Sequence, residues 1–242
     1  MSWQALDEAI ARSCGAGRAP SFWWRDDDAS EPTAAVQRLL GLCQASAVPL
    51  ALAVVPLTAV PALFERLTVR VLMHGTDHRN RAAVDEKKTE FAPAEPPAQA
   101  LGRLDAARMR LAALAGPAFL PVLAPPWNRF PRALVSRLPE AGLRGLSGYG
   151  PVAAASMGDV TVVNTHVDII DWHGTRSFVG EEAALAALLK ELAREKEQPI
   201  GVLTHHAMHD EGAWAFLMRL FERTRRAGAR WADAQTLFPA AG

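Results

Sequence analysis

The sequence predicts an α/β fold built on a parallel sheet. Apolar segments of strand length alternate with amphipathic helical segments about seven times along the 242 residues. The strand segments are rich in Val, Leu and Ile without alternating polar residues, as in strands buried on both faces of a parallel sheet. Polar, ionisable stretches follow the C-terminal ends of several strands. Those ends share one rim in a closed parallel barrel and one edge in an open doubly wound sheet.

Composition limits the classes of function. Hydrophobic residues make up 50% of the chain, and the formal net charge is zero. The length fits one domain of α/β-barrel size, with two small domains as the alternative. The charge gives no basic field for nucleic acid or an anionic membrane, and no apolar run is long enough to span a bilayer.

The N-terminal residues and the cysteines indicate a cellular location. Residues 1–11 mix charged and apolar positions as an amphipathic helix does, unlike an export signal. Cys14 and Cys43 form neither a disulfide framework nor a metal-binding spacing. We therefore expect a soluble cytoplasmic protein whose oligomeric state the sequence does not define.

The individual elements follow from apolar periodicity and from Pro and Gly positions. The predicted helices cover residues 2–13, a segment beginning after Pro32, a short segment at 61–67, and residues 99–114, 131–140, 181–195 and about 214–221. The predicted strands cover residues 20–24, 50–55, 69–73, 119–123, 143–146, 160–165, 200–203 and 230–232. Residues 79–97 are polar and proline-bearing, and their length predicts a loop over a site.

The most informative stretch is 71–78, where an apolar run ends in His74 and His78. On one helical turn this spacing places both imidazoles on the same face. Two neutral imidazoles so placed hold a divalent metal if a carboxylate arrives from elsewhere. The run Asp26-Asp27-Asp28, after the apolar segment 21–24, is an obvious supplier, although a solvated acidic turn is the alternative.

The seven histidines fall in three short stretches rather than being scattered. The stretches are His74 and His78; His166 and His173; and His205, His206 and His209. Such clustering favours a shared chemical site over chance, with structural histidines as the alternative.

Five ordered stretches at strand ends resemble the motifs of the polysaccharide deacetylase superfamily, the NodB-homology or carbohydrate esterase 4 type. They are the Asp run, the His pair, Pro125-Pro126-Trp127-Asn128-Arg129, Asp168-Ile169-Ile170-Asp171-Trp172 and Leu203-Thr204-His205. The resemblance covers roughly residues 20–210. It implies a single domain over 1–242, with an irregular (β/α)7-type barrel core at about 20–235 after the N-terminal helix of residues 1–15.

The first two motifs carry the metal. The resemblance implies Asp27 as the catalytic base and Asp28 as a metal ligand with His74 and His78, because small Ala29 then takes the family's glycine position. The register that uses Asp26 and Asp27 stays open. Asp77 is expected as an outer or surface residue, and Asn80 as one that helps to orient the site.

The third motif departs from the family. Ala124 stands where the family has an arginine that orients the base. Arg25 and Arg129 are the two substitutes, and we prefer Arg129 because it follows a strand end; a surface role for Arg129 is the alternative. Trp127 is expected to form a wall of the substrate groove, or else to be a core residue.

The last two motifs supply the acid. By resemblance, Asp171 tunes and orients the catalytic histidine His205, while Asp168 is structural. Trp172 and Leu203 line the substrate pocket, with Leu203 against the acyl methyl group. The resemblance assigns no role to His166, His206 or His209.

The resemblance implies a metal-dependent hydrolase that removes an acetyl group from an N-acetylated sugar or related amide. The expected metal is Zn²⁺, and Co²⁺, Ni²⁺, Mn²⁺ or Fe²⁺ fit the same ligands. The expected partner is a small-molecule or oligosaccharide substrate, and Lys87, Lys88 and Glu90 of the loop supply contacts to it or are simply solvated. Two alternatives stay open: another C–N hydrolase on the same barrel, and a non-catalytic saccharide-binding protein.

Overall fold

The structure is a computed structural model, and it describes residues 1–152, 154–194 and 198–239. The helices are α1 (Trp3–Gly15), α2 (Ala34–Ser46), α3 (Pro97–Ala115), α4 (Arg132–Val135), α5 (Glu181–Leu192), α6 (Glu211–Arg226) and α7 (Ala234–Leu237). The strands are β1 (Ser21–Ala29), β2 (Leu50–Val54), β3 (Arg70–His74), β4 (Phe119–Ala124), β5 (Gly145–Leu146), β6 (Ser156–Met157), β7 (Val160–Val162), β8 (Val167–Asp168), β9 (Ile200–Thr204) and β10 (Arg230–Trp231).

The chain forms two compact units. The first unit comprises residues 1–26, 33–50 and 165–234, and the second comprises 27–32, 51–164 and the residues from 235 onwards. Strand β1 contributes to the first unit up to Asp26 and to the second from Asp27. A single domain over the whole chain therefore stays a prediction.

In the first unit, β1 pairs in parallel with β9 and β10, and β9 pairs in parallel with β8. The register of β1 on β9 runs from Phe22 opposite Ile200 to Asp26 opposite Thr204. Asp168 of β8 lies opposite Leu203 of β9. This register brings the ends of three sequence-distant strands together.

Aromatic side chains fill the core of the first unit. The Trp24 ring lies 4.8 Å from Phe221 of α6, and Phe22 stacks on Trp231 at 5.2 Å. Phe22 and Trp24 are at most 1% exposed. Fully burying aromatic rings contributes about 1.5–3 kcal/mol each, so this packing fixes the strand from which the Asp run continues.

In the second unit, β2, β3, β4, β5 and β7 pair in parallel in that order, and β6 closes the edge against β7 in antiparallel fashion. Helix α3 buries Leu104, Ala107 and Leu111, which recur at helical spacing. Because the paired strands run in parallel, their C-terminal ends lie along one edge of the sheet. His74 and Ala124 are the last residues of β3 and β4 on that edge.

The α/β class with a mostly parallel sheet is confirmed, and most predicted elements form. Strand β1 continues to Ala29, beyond the predicted end at Trp24. The predicted helix 131–140 is instead α4 followed by a 3-10 turn at Leu138–Ala141. The predicted helix 181–195 ends at Leu192 as α5, and its last predicted residue, 195, lies outside the described residues.

The helices of the described ranges are too short or too polar to cross a membrane. None of them combines the length and the apolar character that crossing a bilayer requires.

Candidate metal centre and active site

Three ionisable side chains of the second unit converge beside the ends of β1 and β3. Nε2 of His74 lies 3.0 Å from Oδ1 of Asp28, and Nε2 of His78 lies 3.2 Å from the same oxygen. One possible ligand atom from each residue lies within 4.8 Å of the other two. A metal at 2.0–2.2 Å from nitrogen and oxygen ligands holds such atoms about 3 Å apart. The structure thus brings together the three residues that were predicted as ligands.

The protonation of His74 suits a metal ligand. Its Nδ1 lies 2.9 Å from the carbonyl oxygen of Ala124. A carbonyl oxygen only accepts, so Nδ1 carries the proton and donates it. In the neutral imidazole Nε2 then keeps its lone pair, on the side where Asp28 lies. The backbone of Ala124, where the family arginine is absent, thus orients the imidazole, a contribution that residue types do not reveal.

The three consecutive aspartates have different surroundings. Asp28 lies in the ligand group and has a left-handed backbone, with φ of 72°. Asp27 is 1% exposed, and its Oδ2 lies 3.9 Å from Nδ1 of His74. Asp26 belongs to the first unit, where its carboxylate binds His206 at 2.6 Å. The geometry therefore favours the register with Asp28, and not Asp27, as the ligand.

Strained backbone surrounds the ligand group. His78, Trp127 and Asn128 have φ values of 56°, 54° and 54°, in the left-handed region that residues with a Cβ rarely adopt. The Trp127 ring packs on the His78 ring with centroids 4.6 Å apart. Such strain persists only where surrounding contacts enforce it, and it concentrates at functional sites. Trp127 lies against a candidate ligand, and its contact with substrate stays a prediction.

The preference for Arg129 as the residue that orients Asp27 stays a prediction, and the structure gives its side chain another partner. The Arg129 side chain is exposed, and its Nη1 donates to the carbonyl oxygen of Lys88 at 2.8 Å. Among the described residues it forms no ion pair with Asp27. The other substitute, Arg25, is fully buried in β1, two residues before Asp27. Arg129 follows a strand end as expected, but its side chain fastens the loop 79–97 instead.

The candidate acid His205 belongs to the first unit, directly after β9. Its Nδ1 lies 4.0 Å from Oδ1 of Asp168. The indole N–H of Trp172 donates to the other oxygen of Asp168 at 2.8 Å, and the Trp172 ring meets His205 edge-on at 4.6 Å. Leu203 is fully buried in β9. Asp168 and Trp172 therefore both lie next to the imidazole.

The predicted role of Asp171, orienting His205, stays a prediction, and the contacts of its carboxylate lie within its own loop. Its carboxylate accepts hydrogen bonds from the backbone N–H groups of His173, Gly174 and Thr175, at 3.3, 2.9 and 3.3 Å. It therefore caps a loop, while Asp168 takes the position beside His205. The signal that separates these two aspartates is strand register, because only Asp168 lies in β8 opposite β9.

A buried hydrogen-bonded chain holds the residue after His205. Trp24 Nε1 donates to Thr204 Oγ1 at 2.9 Å, and that hydroxyl donates to Asp26 at 2.6 Å. Burial raises the pKa of Asp26, but the charge and hydrogen bond of His206 outweigh burial and bring it below its ordinary value of 3.8. These hydrogen bonds thus fix His206, and with it the adjacent backbone of His205.

The other histidines have separate surroundings. His166 is buried and its Nδ1 accepts from the backbone N–H of Gly201 at 3.0 Å. His173 is exposed. His209 meets the Trp214 ring edge-on at 4.4 Å, and burial lowers its pKa to about 4. Clustering in sequence therefore reflects more than one role.

The loop 79–97 divides between surface and interior. Lys87 and Lys88 are exposed, whereas Glu90 is completely buried. The side-chain oxygen of Asn80 accepts from the backbone N–H of Thr89 at 3.0 Å, so Asn80 orders the loop itself. Neither substrate contact nor solvation, the two predicted roles, describes Glu90.

Asp77, between the two histidines, is held by Arg81. Nη1 and Nη2 of Arg81 donate to the two oxygens of the Asp77 carboxylate, each at 2.8 Å. These hydrogen bonds lower the pKa of Asp77 to about 2. Asp77 is absent from the group of possible metal ligands found among the described residues, in line with the expected outer role.

Comparisons with known proteins identify the fold. No family model and no curated protein sequence matches the chain. Solved structures do match, among them a putative polysaccharide deacetylase from Mycobacterium smegmatis, at 17% identity and a TM-score of 0.64 over 90% of this chain and 88% of that one. A family 4 acetyl xylan esterase from Clostridium thermocellum with a cobalt ion matches at 14% identity and 0.59, over 90% of both chains.

A third structure, the chitin deacetylase from the fungal pathogen Colletotrichum lindemuthianum, matches at 13% identity and a TM-score of 0.59, over 91% of this chain and 88% of that one. The fold is therefore that of the polysaccharide deacetylases and family 4 carbohydrate esterases. The resemblance seen in the sequence motifs is confirmed at the level of the fold.

Proposed function

We propose that the chain is a metal-dependent hydrolase that removes an acetyl or other acyl group from an N-acetylated sugar or related amide. The observation that carries the proposal is the group of Asp28, His74 and His78, with one carboxylate oxygen 3.0 and 3.2 Å from two imidazole nitrogens. The fold shared with deacetylases and esterases supports the same reading.

The residues fit a divalent metal because His74 is held in the tautomer that leaves Nε2 unprotonated. Asp28, His74 and His78 would hold the metal, which would supply polarisation of the acyl carbonyl and a more acidic water. Asp27, buried beside His74, is the proposed base for the water proton. His205, whose Nδ1 lies 4.0 Å from Asp168, is the proposed acid for the leaving amine, which leaves readily only when protonated.

We propose zinc as the metal, since two imidazoles and a carboxylate are a common zinc ligand set. Cobalt, nickel, manganese and iron suit the same ligands, and the acetyl xylan esterase of the same fold was solved with a cobalt ion. The proposed substrate is a small molecule or oligosaccharide. A cytoplasmic location stays a prediction that cell fractionation tests.

The first experiment is elemental analysis of protein purified without added metal. We expect about one equivalent of metal in the wild type and almost none in the double variant His74→Ala/His78→Ala. The matched control is His173→Ala, because His173 is exposed and lies outside the ligand group. If the wild type takes up no metal, even after incubation with zinc or cobalt, the proposed mechanism is wrong. A metal-free C–N hydrolase is then the alternative.

The second candidate is a non-catalytic saccharide-binding protein. The specific observation that favours it is at the third motif, where Ala124 replaces the arginine and Arg129 donates to Lys88 instead of Asp27. Turnover of a generic acetyl ester by the metal-loaded protein decides between the two. Turnover that disappears in His205→Ala supports the hydrolase, and binding of acetylated sugars without turnover supports the binding protein.

A further inference from the structure

Glu90 is an unusual residue in the loop 79–97 because its side chain is completely buried. Carboxylates are almost never fully buried without partners, since removing their charge from water is strongly unfavourable. Glu90 Oε1 accepts from the backbone N–H of Thr76 at 2.8 Å and from the Thr76 hydroxyl. The backbone N–H of Asp77 lies 3.4 Å from the same oxygen.

These partners form the turn that connects the two candidate histidine ligands. We call residues 74–78 the His turn. At Gly75 the turn passes so close to the carboxylate that a Cβ there would lie 2.0 Å from Glu90 Oε2. Glu90 therefore occupies the inside of the His turn and binds its backbone, although it is 12 residues further along the chain than His78 by sequence number.

Helix α3 fixes Glu90 in turn. Arg103 Nη1 lies 3.3 Å from Glu90 Oε1 and donates to the Thr76 hydroxyl at 2.9 Å. The other side of the guanidinium binds Glu95 at 2.8 Å. A charge-assisted contact of this kind is stronger and more directional than a neutral hydrogen bond. The His turn is thus joined to a 19-residue helix through two buried or half-buried side chains.

We infer that Glu90 is a positioning residue of the proposed metal centre. Its carboxylate fixes the backbone of the His turn, and that backbone sets how the two histidines face a divalent cation. The inference rests on the metal site proposed above. Residues that orient metal ligands from behind typically change metal affinity by about 10–100-fold when they are removed.

The test is the zinc and cobalt affinity of the purified full-length protein, measured by competition with a chromogenic chelator. We expect Glu90→Ala to weaken both metals by about 10–100-fold. Glu90→Gln should keep most of the affinity, because the amide oxygen still accepts from Thr76. The matched control is Glu86→Ala, which removes an exposed carboxylate from the same loop and should leave the affinity unchanged.

Circular dichroism and urea unfolding of the metal-free variants separate this role from general destabilisation. If Glu90→Ala does not fold, Thr76→Val takes its place, since it removes the hydroxyl between Glu90 and Arg103 and should also weaken metal binding. Wild-type affinity in a folded Glu90→Ala or Thr76→Val overturns the inference, as does a loss in Glu90→Gln equal to that in Glu90→Ala. A wild type that binds neither metal overturns both the proposed function and the inference. A wild type that binds metal, with variants that bind it equally well, overturns the inference alone.

Discussion

Asp168 and Asp171 illustrate how two identical side chains, three positions apart, take different roles. Asp168 lies 4.0 Å from His205 and accepts from Trp172, whereas Asp171 caps the backbone of 173–175. The isosteric change Asp168→Asn removes the charge beside His205 but keeps an acceptor for the indole. We expect it to lower kcat on an acetyl ester, by no more than the about 10²–10⁴-fold that loss of a general acid itself costs.

The matched variant is Asp171→Ala, which removes the loop cap. It should lower the free energy of unfolding by about 1 kcal/mol, as lost capping bonds do, while kcat stays near the wild-type value. Activity assays and urea unfolding of both variants, with metal content checked, measure the difference. A large loss of kcat in Asp171→Ala with none in Asp168→Asn would instead support the role that the sequence motif predicts for Asp171.

Residue type indicates candidate metal ligands, but it does not indicate which partners the other side chains and the backbone find. His74 and His78 could be picked out as a pair because few side chains bind metals and the spacing of the pair is local, whereas Asp28 was one of two registers of the Asp run. The partner of Arg129 was not predictable, because a long flexible side chain next to a site has several acceptors in reach. In the structure it donates to the carbonyl oxygen of Lys88. The Ala124 carbonyl that orients His74 carries no sequence signal at all.

Two glycines in different elements should respond to the same substitution in opposite ways. Gly75 in the His turn has φ of +61°, and a Cβ there would lie 2.0 Å from Glu90 Oε2 and 2.6 Å from the Pro126 ring. Gly102 lies inside helix α3 with nothing within 4 Å of its Cβ position. We expect Gly75→Ala to cost about 1–3 kcal/mol of unfolding free energy. Gly102→Ala should add about 0.5–1 kcal/mol, because alanine restricts the unfolded chain and favours the helix.

Urea unfolding of the two single variants measures these changes, and zinc titration adds a second reading. Gly75→Ala should also weaken metal binding, since it displaces either Glu90 or the turn, whereas Gly102→Ala should bind zinc as the wild type does. A Gly75→Ala protein with unchanged stability and affinity would mean that the close approach of Glu90 is dispensable.

At the level of elements, periodicity located long segments and failed for short ones. Helices α3 and α5 were predictable because their apolar residues recur at helical spacing over several turns. The predicted helix 131–140 breaks because Pro139 has no backbone N–H to donate and disfavours helical geometry at the residue before it. The predicted β1 ended too early, because charged residues are typical of loops. Here they belong to a buried strand.

For the molecule as a whole, the order of elements predicted the fold class but not which contacts carry the site. The parallel sheet follows from buried apolar runs, which are properties of single segments. The contact of Glu90 with the His turn and that of Asp26 with His206 join distant parts of the chain. Such contacts depend on register and packing, which a single sequence does not encode in a readable pattern. Which segments of the chain form each of the two compact units was not predicted for the same reason.

The stability of the whole molecule should depend on pH through His209. Burial lowers its pKa from 6.5 to about 4, and its two ring nitrogens have no hydrogen-bond partner within the part of the chain that the structure describes. Between about pH 4 and pH 6.5, His209 therefore binds a proton in the unfolded chain but not in the folded protein. Lowering the pH from about 6.5 to 4 therefore favours the unfolded state, with a slope approaching about 1.4 kcal/mol per pH unit. Asp26, whose pKa lies below 3.8, loses its contribution only at lower pH.

The variant His209→Phe isolates this contribution, because phenylalanine keeps an aromatic ring against Trp214 but does not titrate. Urea unfolding of the metal-free protein at pH 7, 5.5 and 4.5 should give a free energy that falls less steeply in the variant than in the wild type. Metal-free protein is required because protons compete with metal for histidine ligands. Equal slopes for the two proteins would show that His209 is protonated as readily in the folded protein as in the unfolded chain, and that its burial against Trp214 does not exclude the charge.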